Sequence, residues 1–205
     1  MHNRKPKEIL SVFSRSYWSS AFSELHDLRS LIFAALIVAL SIVISSVFIP
    51  VADNLRIYFK FLVTAVGASV YGPVVAILVG VASDPLGFFI HPSGAYFPGY
   101  LLSEVLGNLV FALLLYRKRI SILRIFLARG FINFFINVGL GSLWSAILYG
   151  KGYLYYAATS IVKNAILLIP EVILLTLLFA LLVPIFTRMN VIPQQRSGHR
   201  FLPWV

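Results

Sequence analysis

The sequence predicts an all-α membrane protein with six transmembrane helices and both termini on the cytoplasmic side. Three observations lead there. Of 205 residues, 60% are hydrophobic and only 12% charged, against roughly 45–50% and 25% for a soluble domain. The hydrophobic residues fall into runs separated by prolines, glycines and charges, with room for about six helices at the ~20 residues each needs to cross a bilayer. The basic residues are distributed unequally between the two sides that such a topology creates.

Residues 1–28 form a polar lead-in, with a short amphipathic helix expected around Ile9–Phe22 at the membrane surface. The segment lacks the apolar core and small-residue cleavage site of a signal peptide. The six-helix domain covers 29–188. Its first span runs from about Arg29 to Ile49 and stops at Pro50. After the polar loop VADNLR, a second span (Ile57–Tyr71) ends at Gly72-Pro73, and a third continues to about Asp84. Both are short for full crossings. The fourth covers Tyr100–Tyr116 and ends at Arg117-Lys118-Arg119. The fifth covers Ile120–Leu148, and the loop YGKGYLYYA leads to the sixth, Thr159–Phe186. Residues 189–205 form a polar cytoplasmic tail, expected to be poorly ordered.

Between the third and fourth spans lies DPLGFFIHPSGAYFPG (Asp84–Gly99), with three prolines, three glycines and four aromatics. Proline lacks a backbone donor and glycine loosens the chain. Such backbone is tolerated at membrane depth only where protein or a cavity surrounds it. The stretch reads as a structured loop helping to close a small-molecule site.

Charge tests the topology. With the N-terminus inside, 13 of the 17 basic residues fall on inner segments, including Arg117, Lys118, Arg119, Arg124 and Arg129. Four fall outside or within spans: Arg56, Lys60, Lys151 and Lys163. That is the positive-inside bias. It accounts for the net charge of +10 without nucleic acid as a partner. The absence of cysteine removes thiol and Cys-metal chemistry. No Walker-type nucleotide loop, no GxSxG and no His/Glu metal cluster occurs. No catalytic residue, metal or cofactor is therefore expected, and the chain cannot drive pumping with a nucleotide loop of its own.

Three acids lie in or at the ends of spans: Asp84, Glu104 and Glu171. Intramembrane charges face a cavity or a partner. The sixth span carries a polar stripe, Ser160–Lys163–Asn164–Glu171; the fifth carries Asn133, Asn137, Gly141 and Trp144; the fourth carries Ser103, Glu104, Gly107 and Asn108. Together they outline one pocket near the outer surface. The plainer alternatives are helix–helix hydrogen bonding for the asparagines, interfacial anchoring for Trp144 and Tyr153/Tyr155/Tyr156, and mutual neutralisation of Lys163 and Glu171. Ala35-x-x-x-Ala39 in the first span would let another helix approach closely.

At LRIYF (Leu55–Phe59), YGPVVAILVG (Tyr71–Gly80), ASDPLG (Ala82–Gly87), HPSGAYFPGY (His91–Tyr100), LWSAILYGK (Leu143–Lys151) and IVKNAILLIPE (Ile161–Glu171) the chain resembles a known family. It is that of the substrate-binding S components of energy-coupling factor (ECF) vitamin transporters, folate-type branch. The resemblance runs from about Ser30 to Leu182. It implies a six-helix S-component fold in the bacterial plasma membrane. It also implies capture of a vitamin, folate foremost, and docking through Ala35 and Ala39 on a membrane coupling subunit that works with two ATPases. The chain has Ser160 and Gly141 where folate-type members tend to have arginine and asparagine, and Lys60 is unusual. The implied partners for a ligand carboxylate are therefore Lys163, Arg56 and Lys151. Trp144, Tyr96 and Phe97 would stack on a pterin ring, with Asn137, Asn164, Glu171 and Asp84 along its polar edge. Pantothenate is the alternative substrate. A structural or enzymatic membrane protein without ECF partners is the alternative class.

Overall fold

The structure is a computed structural model describing residues 7–52, 55–90, 92, 96–194 and 202–203. The side chains at 48, 50–52 and 55–57 are outside that description. The elements are α1 (Arg15–Ser23), a 3₁₀ turn (Glu24–His26), α2 (Leu28–Ser45), a β-hairpin of β1 (Phe48–Ala52) and β2 (Leu55–Tyr58), α3 (Lys60–Ile90), α4 (Pro98–Leu115), α5 (Ile122–Phe131), a π-helical segment (Ile132–Leu140), α6 (Gly141–Tyr149) and α7 (Tyr153–Arg188). Among the described residues, five helical stretches are long and apolar enough to cross a membrane: α2, α3, α4, the continuous run Ile122–Tyr149, and α7.

Two boundaries differ from the sequence expectation. The first span ends at Ser45, and the chain then pairs Phe48 with Tyr58 and Ile49 with Ile57 in the antiparallel hairpin. Phe-Ile and Ile-Tyr are β-branched or aromatic pairs that suit a strand, and Pro50 sits beside the register shift between Pro50 and Ala52, a place a ladder tolerates proline. The broken stretch 84–99 is also shorter than expected, because α3 continues across Pro85 to Ile90. Proline's φ is compatible with a helix, and only the bond to the carbonyl four residues back is lost. His91 and Ser93–Ala95 lie outside the described residues.

α3 is two arms joined by a reversal at Gly72, whose φ of 79° and ψ of −178° are not helical. The reversal follows from its contacts. Lys60 Nζ lies 2.9 Å from Glu104 Oε1, and Ser83 Oγ lies 3.4 Å from the same atom. On a straight helix those two residues would stand roughly 35 Å apart, at 1.5 Å per residue. The chain therefore folds back on itself, arm 60–71 against arm 73–90. The sequence marks the place: Pro73 disfavours an α conformation at the residue before it and starts the second arm well. Glycine takes a backbone region closed to other residues. A Cβ there would also sit 2.8 Å from the Tyr116 ring.

The core lies along these arms. Ala65, Ala68, Val75 and Ala76 are buried against Phe111, Ala112 and Leu115 of α4. At Gly80, α4 comes so close that a Cβ would fall 2.8 Å from the Val105 Cα; small residues permit such approach between helices in lipid. On α7, Leu167, Glu171, Leu175 and Phe179 are buried, while Ile166, Ile169, Ile173, Leu177 and Leu181 are exposed. That exposed row recurs every three or four residues, so it forms one apolar face, as a lipid-facing surface requires.

At the Gly72 end, Glu24 gathers the N-terminal segment. It accepts bonds from Lys7 (2.5 Å), Tyr116 (3.1 Å) and Ser30, with Arg117 at 3.9 Å. Burial, then the Glu24 charge, pushes the Tyr116 phenol above its usual pKa, so it stays a donor. The tail is less free than its polarity suggests. Ile192 and Leu202 are buried, and Ile122 N–H donates to the Pro203 carbonyl at 3.0 Å.

Gly72→Ala is expected to destabilise the protein by roughly 1–3 kcal/mol from backbone strain alone, with the Tyr116 clash added. Thermal melting of the detergent-solubilised protein measures it; an unchanged midpoint would contradict the reversal.

Candidate functional site

A cavity of about 530 Å³ opens between α3, α4, α5, the π-helical segment, α6 and α7. Its polar lining comprises Lys60, Thr64 and Asp84 from α3, Ser103, Glu104 and Asn108 from α4, Arg129 from α5, Asn137, Ser145, and Ser160, Lys163, Asn164 and Glu171 from α7. The three polar stripes seen in the sequence therefore do converge.

Their wiring rests on a partner that the sequence reading did not consider. Glu171 is paired with Arg129, and the plainer alternative of neutralisation by Lys163 does not occur. Arg129 donates through Nε to Oε2 at 2.8 Å and through its terminal nitrogen to Oε1 at 2.6 Å, and Asn133 Nδ2 donates to Oε2 at 2.8 Å. Arg129 and Glu171 are 8% and 4% exposed. The guanidinium also lies 4.4 Å from the centre of the Phe61 ring. The two-pronged geometry is the one in which arginine binds a carboxylate best. Arg129, one of the 13 basic residues that the charge tally assigns to inner segments, lines the cavity instead, and without it that tally holds twelve. The signal available in the sequence was an arginine four residues before Asn133 and eight before Asn137, on one helical face.

The π-helical segment carries the next layer. Its wider turn brings Asn137 over Asn133, so that Asn137 Nδ2 donates to Asn133 Oδ1 and to Asn164 Oδ1, both at 3.3 Å. Asn164 Nδ2 donates to the Ser160 carbonyl at 2.9 Å. Such π-bulges are frequent at functional sites. They also explain why α-helical counting mislaid Trp144. Its indole donates to Ser103 Oγ at 2.9 Å and its ring centre lies 5.6 Å from that of Phe97, behind the lining rather than in it.

On the opposite wall, Glu104 Oε1 receives Lys60 (2.9 Å), Asn108 Nδ2 (3.2 Å) and Ser83 (3.4 Å). Asp84 has Lys60, Glu104 and Tyr96 as electrostatic neighbours. Lys163 lines the cavity yet makes no ion pair or hydrogen bond among the described residues. Tyr96 and Phe97 line an adjoining cavity of about 640 Å³ with Phe88, Tyr100 and Tyr149; Tyr58, Lys60, Asp84 and Tyr100 are common to both. Lys151 stands apart, exposed, against the Tyr155 ring at 4.5 Å. The Arg56 side chain lies outside the described residues. Among the described residues no His/Cys/Asp/Glu group is arranged to hold a metal.

Removing one partner of a buried pair strands the other charge, at a cost of roughly 3–5 kcal/mol, whereas replacing both with apolar groups is much milder. Glu171→Leu should therefore lower the melting midpoint strongly, and the double variant Arg129→Met/Glu171→Leu should recover part of it. Independent, additive effects would refute the pairing.

No protein-family model matches the chain. The folate transporter FolT of Clostridium novyi is 36% identical over 137 residues, covering 67% of this chain and 80% of that protein. The folate transporter FolT of Leuconostoc mesenteroides is 27% identical over 148 residues, covering 69% and 79%. A crystal structure of FolT bound with folic acid superposes with a TM-score of 0.64 at 24% identity, over 71% of this chain and 88% of that one, and so shares the fold. Identity above one third across four fifths of a curated relative settles the kinship: the chain belongs to the folate-type substrate-binding S components of ECF transporters.

Proposed function

We propose that this protein is the membrane-embedded folate-binding subunit of an ATP-driven ECF importer. It captures folate from outside and delivers it by docking on the coupling subunit, with ATP hydrolysed by two partner ATPases. In this reading the two arms of α3 act as separate crossings, giving six spans with both termini in the cytoplasm of a bacterial cell. The remaining inner cations support that orientation by the positive-inside rule.

The observation that carries the substrate reading is Lys163. Arg129 is committed to Glu171 and Lys60 to Glu104, so among the described residues Lys163 is the lining cation with charge to spare for a ligand. An ammonium in a partly desolvated cavity favours an anionic partner, and folate brings carboxylates. The aromatic groups Tyr96, Phe97 and Tyr100, and the amides Asn137 and Asn164, suit the stacking faces and the donor–acceptor edge of its pterin. Asp84 adds an acceptor. Lys151 and Arg56 serve the outer approach of the anion, and Trp144 holds Phe97 and Ser103 in place. Glu171 acts through Arg129 and Asn133, as the brace of the wall.

Docking falls to α2. Ala35 and Ala39 are exposed on its outer face, four residues apart, where a partner helix can approach without a large side chain between.

Titration of detergent-purified protein against a vitamin panel tests the substrate. Folate should bind with nanomolar-range affinity, and Lys163→Met should weaken it about 10-fold or more, the loss of one charge-assisted bond. Tight pantothenate binding without folate binding would transfer the site to that vitamin. In cells with the whole importer, Ala35→Trp and Ala39→Trp should abolish uptake while folate affinity stays unchanged. Uptake surviving both substitutions would remove α2 as the docking face.

A further inference from the structure

The cavity wall on α4 holds two oxygen atoms that the fold leaves uncommitted. Asn108 is 2% exposed and lines the cavity. Its Nδ2 is used, donating to the Glu104 carbonyl at 2.9 Å and to Glu104 Oε1 at 3.2 Å. Its Oδ1 is buried and has no hydrogen-bond partner among the described residues. A buried acceptor left without a donor carries its full desolvation cost, so its presence calls for an occupant. Beside it, Lys60, Ser83 and Asn108 all converge on Glu104 Oε1, and Oε2 accepts no hydrogen bond among the described residues.

Glu104 and Asn108 are four residues apart on one helix, so their side chains lie on one face. The amide–carboxylate bond fixes them relative to each other. The result is a preorganised pair of acceptors, complementary to a group that presents two N–H donors side by side. On α7 the acceptors are already in use: both Glu171 oxygens serve Arg129 and Asn133, and Asn164 Oδ1 serves Asn137. Lys163, the lining cation without an ion pair among the described residues, is also on α7. The lining is thus polarised, acceptors on α4 and a cation on α7.

Resting on the folate reading, we propose that Glu104 and Asn108 form the subsite that reads the donor edge of the pterin, its ring N3–H and 2-amino group, while the ligand's carboxylate end faces Lys163. Lys60 is a positioning residue here: it holds Glu104 by Oε1, so that Oε2 is the oxygen left for ligand. This wall selects 2-amino-4-oxo-pyrimidine rings over rings that lack the amino donor.

The test compares affinities for folate and for its 2-desamino-2-methyl analogue, in detergent, with melting of the ligand-free protein as the folding control. Wild type should favour folate by about 10-fold or more, as expected when an analogue leaves a buried acceptor unpaired. In Asn108→Leu the ratio should collapse towards one. It should collapse also in Glu104→Gln, where Lys60 keeps the amide oxygen and turns an amide donor toward the ligand. Asn108→Asp retains an oxygen and should keep the preference. Lys163→Met should weaken both ligands and leave the ratio intact. If Asn108→Leu does not fold, Glu104→Gln decides. A ratio unchanged in folded Asn108→Leu or Glu104→Gln, or one lost in Lys163→Met, overturns the assignment while folate binding itself stands. Failure of the wild type to bind either ligand overturns the folate reading, and this subsite with it.

Discussion

The buried pair between Arg129 and Glu171 is the interaction on which the site depends. In a bundle this apolar, an isolated charge would be expelled or neutralised. Each of these two is retained because the other supplies two charge-assisted bonds and Asn133 supplies a third. The pair joins α5 to α7. It also sets the height at which the π-helical segment meets α7, since Asn133 reaches both Glu171 and the Asn164 carbonyl. Asn137 and Asn164 are aligned from there. With one wall neutralised in this way, the cavity's electrostatic character is left to Lys163 and to the opposite wall.

The second constraint is the reversal at Gly72. It brings Lys60 and Ser83 to the same carboxylate oxygen although 23 positions separate them. The hairpin of helical arms thereby becomes a floor for the cavity, and Asp84 reaches both chambers. The reversal is held from its own end as well. Tyr116 packs on Gly72 and donates to Glu24, which in turn binds Lys7 and Ser30. The N-terminal segment is thus tied to the same turn that shapes the site at the far end of the arms.

A transport subunit has to hold its ligand firmly and still let go. A wall with its hydrogen bonds already satisfied offers a rigid surface, while a few uncommitted groups give selectivity without deep affinity costs on release. The structure divides its polar residues in that manner. Arg129, Glu171, Asn133 and Asn164 bond mainly to one another, and Lys163, Asn108 and Glu104 keep atoms in reserve.

Much of this was legible in the order of residues. Hydrophobic runs, the Gly72-Pro73 break, the basic turn at 117–119 and the polar stripes follow from solvation and backbone sterics acting locally, so sequence alone locates them. The motifs PSGAYFPG, LWSAILYGK and KNAILLIPE carried the kinship. What sequence did not contain was partnership. Lys163 is next to Asn164 but two turns from Glu171, which makes it a poor counter-ion; Arg129, 42 positions away, is the one that reaches Glu171. The π-helical winding moved Trp144 behind the lining, because one widened turn changes the face of everything after it. The hairpin at 48–58 replaced a loop because strand pairing needs a partner that local reading cannot see. Sequence by itself determined that this chain lies in a membrane and which groups are costly there. Only the tertiary structure decided which of those groups are spent on each other and which remain for a ligand, because the energy of a buried charge or amide is set by what stands within three ångströms of it in space.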